Sequence, residues 1–293
     1  NFSLSHNIDN SSNVSEEINQ ELDKIYKWLA INKLALNISK TKYMIFHFPQ
    51  RRANSLPSLN LEMNNIPIEQ TSEFNFLGIT IDDTLTWKAQ SLKICNKISR
   101  TIGVMKRLHN VLPFNILLII YNSLIMPHLH YGLLVWGFNL KRLIVLQKKA
   151  VRVVCSSKYN AHTNPLFKKL NTLKLEDIKK QKGLNFYYRY KNSQVPEYFK
   201  DIFQQINVQH QYDTRYGNVA HNPSPNLVTT NNCLRYLIPS IIKNVPELIS
   251  TKLTTHSYQG FSKYVKSYYI SLYDETCNKR KCYVCNSPTQ SNP

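Results

Sequence analysis

The spacing of apolar residues changes character along this chain. Near the start Ile18, Leu22, Ile25 and Leu29 recur at helical intervals and predict an amphipathic helix. Ser15 is placed to cap it, and Glu16 and Glu17 suit the positive end of the helix dipole. After a turn at Asn32-Lys33, Leu34 and Leu36 alternate with smaller or polar neighbours, and Tyr43 to Phe48 is an aromatic and branched run that predicts a strand. The basic, polar stretch from Pro49 to Pro57 reads as a loop. Two more strand-like runs, Leu59 to Met63 and Phe76 to Ile81, lead to a turn at Asp82-Asp83. From Gln90 the period becomes that of long helices. Leu92, Cys95, Ile98, Ile102 and Met105 mark an apolar stripe, while Lys93, Lys97, Arg100, Lys106 and Arg107 carry charge on the other faces. Pro113 is set to open the next helix. The run Ile116 to Met126 predicts a buried helix stopped by Pro127, followed by a turn through Tyr131, Gly132, Trp136 and Gly137. Further helices are predicted over Leu140 to Cys155, Leu175 to Tyr190 and Phe261 to Tyr273, with long loops from Val195 to Pro225. The fold class that results is α+β and mostly helical, with a small antiparallel sheet ahead of the helices.

Composition permits a packed core. The 293 residues are 42% hydrophobic and 19% charged, so global disorder is not expected. Lys and Arg outnumber Asp and Glu by 37 to 18, a formal net charge of +19. That excess points to a polyanionic partner, nucleic acid before anionic membrane. Seven glycines form neither a P-loop nor a GxGxxG motif. Cys95, Cys155, Cys233, Cys277, Cys282 and Cys285 do not form a disulfide framework, and a reducing compartment fits them better. The first residues are polar and predict no signal peptide. The Ile116 to Met126 run is too short to span a bilayer.

Several groupings carry candidate chemistry. Lys141, Arg142, Lys148, Lys149 and Arg152 share a helix with no acidic residue among them. With Leu143, Val145, Leu146, Ala150 and Val151 as the buried side, their face is free for phosphates. Tyr187, Tyr188 and Tyr190 with Arg189 and Lys191 form either a second aromatic-basic patch or a tyrosine-rich core face. Cys277, Cys282 and Cys285 are candidate zinc ligands, with His256 or Cys233 needed as the fourth; the alternative is a tail with three free thiols. His128 and His130 are expected to pack rather than bind metal. Asp82-Asp83 could be a metal-binding pair, but such a dipeptide is far commoner in a strand-ending turn.

The order of short motifs resembles the reverse transcriptases of non-LTR retrotransposons (the LINE-like elements). Trp28, Asn32, Leu34, Leu36, Asn37, Lys40 and Thr41 match the family's W-x-x-x-N and L-x-L-N-x-x-K-T. Phe76-Leu77-Gly78-Ile79 with Asp82, Leu85 and Trp87 looks like the hairpin that grips the primer end; Gln90 departs from the usual His. The stretch Tyr121 to Gly137 and the helix Leu146 to Arg152 resemble the thumb-side region. Leu175, Asp177, Ile178, Gln181, Tyr190, Pro196, Phe199, Thr214-Arg215, Arg235-Tyr236, Pro239, Asn244 and Pro246 resemble the C-terminal extension, with Ile241 where Trp is common. The resemblance implies a partial palm over 1–89, a helical thumb over 90–155, a connector over 156–250 and a Cys-rich tail over 251–293. It implies RNA–DNA primer-template as partner, contacted by Phe76, Leu77, Gly78, Lys97, Arg100, Lys141, Arg142, Lys148, Lys149 and Arg152; Lys40 is either an auxiliary near the triphosphate or a solvated lysine at a strand start. It places the family's magnesium-binding aspartates upstream of Asn1, so this chain is expected to bind nucleic acid without polymerising. A transposon-derived, non-enzymatic binding or interaction module is the alternative. No membrane association is expected, and the setting would be intracellular, nucleus or cytoplasm.

Overall fold

The structure, a computed structural model, describes residues 11–37, 40–48, 59–199 and 234–273. It is α+β and mostly helical, and it divides into two compact units, Asn1–Thr86 and Trp87–Pro293.

In the first unit, helix α1 (Ser11–Ile31) begins four residues before the expected cap at Ser15. Its end shows why the W-x-x-x-N pattern is local structure. Asn32 donates its Nδ2–H to the Trp28 carbonyl at 2.7 Å. Lys33 turns left-handed (φ 55), and the Lys33 and Leu34 amides reach back to the Ala30 and Leu29 carbonyls. Those two bonds make a Schellman cap, which satisfies carbonyls the last turn would leave unpaired. The face carrying Ile18, Leu22 and Tyr26 packs on a core of Leu61, Met63 and Ile68.

The strands are shorter than the hydrophobic runs suggest. β1 is Lys42–Tyr43, β2 Glu62–Met63, β3 Ile66–Pro67, β4 Glu69–Gln70, β5 Glu73–Phe76 and β6 Ile79–Asp82. β1 pairs with β4 in parallel, whereas β2–β3 and β5–β6 are antiparallel hairpins. The run Tyr43 to Phe48 is therefore mostly irregular, and Phe76 to Ile81 is a hairpin turn with its flanks rather than one strand. Asn64-Asn65 and Leu77-Gly78 both take positive φ at the two central positions, the geometry that matches strand twist in two-residue hairpins.

The second unit is helical: α2 (Lys88–Leu108), α3 (Phe114–Ile120), a π-helical turn (Tyr121–Ile125), α4 (Met126–His130), α5 (Leu133–Trp136), α6 (Lys141–Val154), α7 (Asn164–Lys169), α8 (Leu175–Lys191), α9 (Leu234–Lys243), α10 (Glu247–Thr255) and α11 (Tyr258–Ser271). Pro127 does not stop its helix. The preceding turn widens so that the Met126 amide reaches the Tyr121 carbonyl, and the chain continues helical to His130. A wider turn accommodates a residue that cannot donate to the carbonyl four positions back. Leu117, Tyr121, Ile125 and Leu129 are buried along this rod, but Ile116, Ile119 and Leu124 are exposed, so the run is amphipathic rather than fully buried. At its end Gly132 turns left-handed (φ 62) and the buried Trp136 donates its Nε1–H to the Tyr131 carbonyl at 2.7 Å. A Cβ on Gly137 would lie 2.2 Å from the Leu133 carbonyl oxygen, which requires glycine there.

α8 is central and packs against α5, α6, α9 and α11. Tyr273 donates to Asp177 Oδ2 at 2.7 Å and accepts from the Lys174 amide at 2.9 Å. Gln181 and Asn185 reach Ser262 on α11. Tyr188 donates to the His256 carbonyl at 2.6 Å and stacks on Phe261. Its ring belongs to the α8–α11 seam, as in the core-face alternative for that tyrosine cluster.

Candidate nucleic-acid interface

In α2 the buried residues are Gln90, Ile94, Cys95, Ile98, Ile102 and Met105. Ile94 takes the place expected for Leu92, which is 47% exposed. Lys93, Lys97, Arg100, Val104 and Arg107 recur at i, i+4, i+7, i+11 and i+14 and line the face turned from that core. At 1.5 Å per residue this ridge is roughly 21 Å long. Lys97 lies beside His128 on α4; burial and that ammonium lower the His128 pKa.

α6 repeats the design. Lys141, Arg142 and Lys149 are exposed and Lys148 is half-buried. The buried side is Leu143, Gln147, Ala150, Val151 and Val154. Val145, expected inside, stands outside among the cations at 51% exposure. Gln147 takes the interior place: its Nε2 donates to the Leu173 carbonyl at 3.0 Å and to Tyr121 Oη at 3.3 Å, and its Oε1 accepts from the Leu175 amide at 2.8 Å. One amide thus ties α6, the π turn and the start of α8. Arg142 lies near enough to Cys95 to lower its thiol pKa, although burial, the larger effect, raises it. Arg152 differs from its neighbours: its Nε donates to the Ala161 carbonyl at 2.8 Å and the side chain is partly buried, which makes it a support for the following loop as well as a surface charge.

These two helices belong to a longer feature that motif reading missed. No Asp or Glu stands between Asp83 and Glu176, whereas Lys and Arg hold fifteen positions in that interval. Simple charge counting along the chain finds it. Cationic side chains there have no carboxylate from their own segment to pair with.

In the first unit, Phe76, Leu77 and Gly78 form the end of the β5–β6 hairpin, with Phe76 paired to Ile79. Leu77 is at φ 48 and 73% exposed. A left-handed, exposed leucine costs about 1–2 kcal/mol relative to a right-handed one, and such strain gathers at functional positions. Lys40 is exposed on a turn closed by Asn37, whose carbonyl accepts from Thr41 Oγ1 at 3.1 Å.

Asp82 and Asp83 are used in the turn. Asp82 Oδ2 accepts from Thr84 Oγ1 at 3.0 Å and from the Thr86 amide and hydroxyl at 2.7 Å each. Asp83 Oδ2 lies 3.7 Å from His47 Nε2. Among the described residues no group of three or more His, Cys, Asp and Glu side chains is placed to hold a metal ion. The described residues do not fit a two-magnesium centre, since Asp82 Oδ2 is committed to Thr84 and Thr86. Cys277, Cys282, Cys285 and Cys233 lie outside the described residues. Among the described residues no helix is long and apolar enough to cross a membrane.

Fold and surface thus define a mostly helical α+β protein with acid-free cationic helices. No family model and no solved structure matches the chain. Two curated proteins of Drosophila melanogaster are similar to it. One is the RNA-directed DNA polymerase from mobile element jockey, 26% identical over 167 residues, covering 55% of this chain and 18% of that protein. The other is a probable RNA-directed DNA polymerase from transposon BS, 25% identical over 125 residues, covering 40% of this chain and 14% of that protein. The matched stretch spans less than a fifth of either relative. These similarities support the relation to LINE-type reverse transcriptases that the motifs imply.

Proposed function

We propose that this chain is a primer-template-binding portion of a non-LTR retrotransposon reverse transcriptase, without polymerase activity of its own. The acid-free stretch from 84 to 175 carries the reading, because it sets the α2 and α6 ridges where phosphates are the fitting counter-charge. Residues 1–89 correspond to the end of a palm, 90–155 to a thumb, 156–250 to a connector and 251–293 to a tail. Lys97, Arg100, Lys141, Arg142, Lys148, Lys149 and Arg152 contact the sugar-phosphate backbone, and the Phe76–Gly78 tip meets the primer strand. Lys40 serves the triphosphate only where a complete polymerase centre is present. Magnesium belongs to that complete enzyme, since the Asp82 carboxylate is taken up by Thr84 and Thr86 of the turn and that of Asp83 lies beside His47. Zinc at Cys277, Cys282 and Cys285 is a further element of the proposal, and bound zinc in the purified chain tests it.

The test is binding of the purified chain to a labelled RNA–DNA primer-template over a salt series, with magnesium and nucleotides added in a parallel extension assay. Binding that weakens steeply with salt, without extension, is the expected result. Extension would overturn the non-catalytic assignment. Absence of binding at low salt would favour a protein-interaction module.

A further inference from the structure

The seam between α8 and α11 holds two half-buried lysines, Lys182 and Lys266. The helices run antiparallel: Asp177 meets Tyr273, Lys180 lies over the Tyr269 ring, Asn185 meets Ser262 and Tyr188 meets the His256 carbonyl. That order brings Lys182 and Lys266 to one level. Lys182 follows the buried Ile178 at i+4 on α8, and Lys266 follows Ser262 at i+4 on α11, so each stands on the side turned towards the packed interior. Among the described residues neither ammonium has a hydrogen-bond or ion-pair partner. α11 carries no acidic residue. The two acids of α8 stand in its first turn, where both Asp177 oxygens are taken by Tyr273 and Lys180.

Two further groups belong to this place. His130 ends α4, three residues ahead of α5, which packs on α8. Its ring is half-buried, and the fields of Lys182 and Lys266 both reach it. His128 is the other titratable group of α4, and α5 brings none. One turn from Lys182, Asn185 Oδ1 is buried without a donor, although its amide donates to Ser262 Oγ at 2.9 Å. Half-buried charges and an orphaned acceptor cost stability unless matching groups are supplied. Burial lowers the Lys182 pKa, a penalty that a neighbouring anion removes.

We infer that Lys182, Lys266 and His130 form a phosphate site, separate from the α2 and α6 ridges. A tetrahedral anion accepts from donors that arrive from different helices, whereas a planar carboxylate directs its oxygens within one plane. His130 becomes a third donor when the anion favours its protonated ring, and hydration water of the anion donates to Asn185. The site itself stands without the nucleic-acid reading. Only the source of the phosphate, a backbone group of bound nucleic acid or a free ion, depends on that reading.

The test uses the full chain with isotope-labelled histidine rings, the His130 signal being assigned by its loss in His130→Gln. Sodium phosphate and sodium acetate are compared at equal ionic strength. The expected result is a saturable movement of the His130 signal with phosphate, half-complete at roughly millimolar concentration, and a His130 pKa that climbs from about 4 towards 6.5. Lys182→Met/Lys266→Met, which keeps the apolar stems, should abolish the saturable movement while the other histidine signals report an intact fold. With the RNA–DNA primer-template, the same pair of substitutions should lower the slope of log affinity against log salt by about 1, the mark of one backbone phosphate. An unchanged slope beside an intact phosphate response would support the site with a free ion as its ligand. Equal movement by acetate, no movement by phosphate, or a saturable response that survives in the double variant would overturn the site. Failure of the nucleic-acid reading would appear differently, as a phosphate response without primer-template binding.

Discussion

At the scale of single residues, Gln147 shows how a polar side chain can act as core. It is 1% exposed and bonds its own helix to two other segments, the π turn and the start of α8. Gln147→Ala should strand the Leu175 amide and the Leu173 carbonyl and cost about 2–4 kcal/mol, read as a lower urea midpoint at unchanged slope. Leu77 should behave in the opposite way. Leu77→Gly removes the left-handed penalty and should raise stability by about 1 kcal/mol, while lowering primer-template affinity because the exposed apolar tip is gone. A loss of both would mean that the leucine is structural. His130 supplies a pH dependence. Burial first, and then Lys182 and Lys266, lower its pKa from 6.5 to about 4. A depressed value means that the folded state prefers the neutral ring, so stability is intact above pH 6.5 and declines as pH falls towards 4. His130→Gln should flatten that acid limb by roughly 1–2 kcal/mol, after allowance for the part of the ring that solvent screens. None of the three roles was legible in sequence. Gln147 sits in a basic run, Leu77 in a motif that says nothing of φ, and His130 takes its shift from residues more than fifty positions away.

At the scale of elements, legibility followed the strength of the helical period. α2, α6, α8 and α11 came through nearly to their ends, because their stripes extend over several turns. Errors within them lay at positions where two apolar residues were adjacent or nearly so: Ile94 for Leu92, and Val145 outside where Gln147 lies inside. Pro239 and Pro246 masked α9 and α10, although Pro239 lies within α9 and Pro246 immediately precedes α10. The strands are shorter than the apolar runs: Leu61 and Met63 mark core contact, whereas Phe46, Phe48 and Leu77 are exposed and lie outside strand pairing or at its end. The Phe76–Gly78 tip and the α6 cations were legible only as motif and charge, and the α2 ridge became plain once burial showed which face was turned outward. That ridge yields a quantitative expectation. If Lys97 and Arg100 each neutralise a phosphate, Lys97→Ala/Arg100→Ala should lower the slope of log affinity against log salt by about 2, uniformly across sequences. A sequence-dependent loss would instead mean that these side chains read bases.

At the scale of the whole molecule, the two units differ in how much they can support alone. The helical unit buries Ile98, Met105, Tyr121, Trp136, Leu143, Phe167, Leu175 and Phe261 at its centre, and its helices converge on α8. The first unit has a core of Leu61, Met63 and Ile68 with flanking side chains from α1, and its described strands are two to four residues long. It also leaves Trp28, Ile31, Phe46, Phe48 and Leu77 largely exposed. Short two-stranded pairs are marginal in water, and large apolar side chains left exposed favour association. Residues 87–293 expressed alone should therefore melt cooperatively and keep salt-sensitive nucleic-acid binding, since α2 and α6 lie within them. Residues 1–86 alone should melt broadly or self-associate. A sharp, concentration-independent transition for 1–86 in calorimetry would show that its small core suffices. Loss of binding in a folded 87–293 would place the phosphate contacts in the hairpin unit, against the ridges.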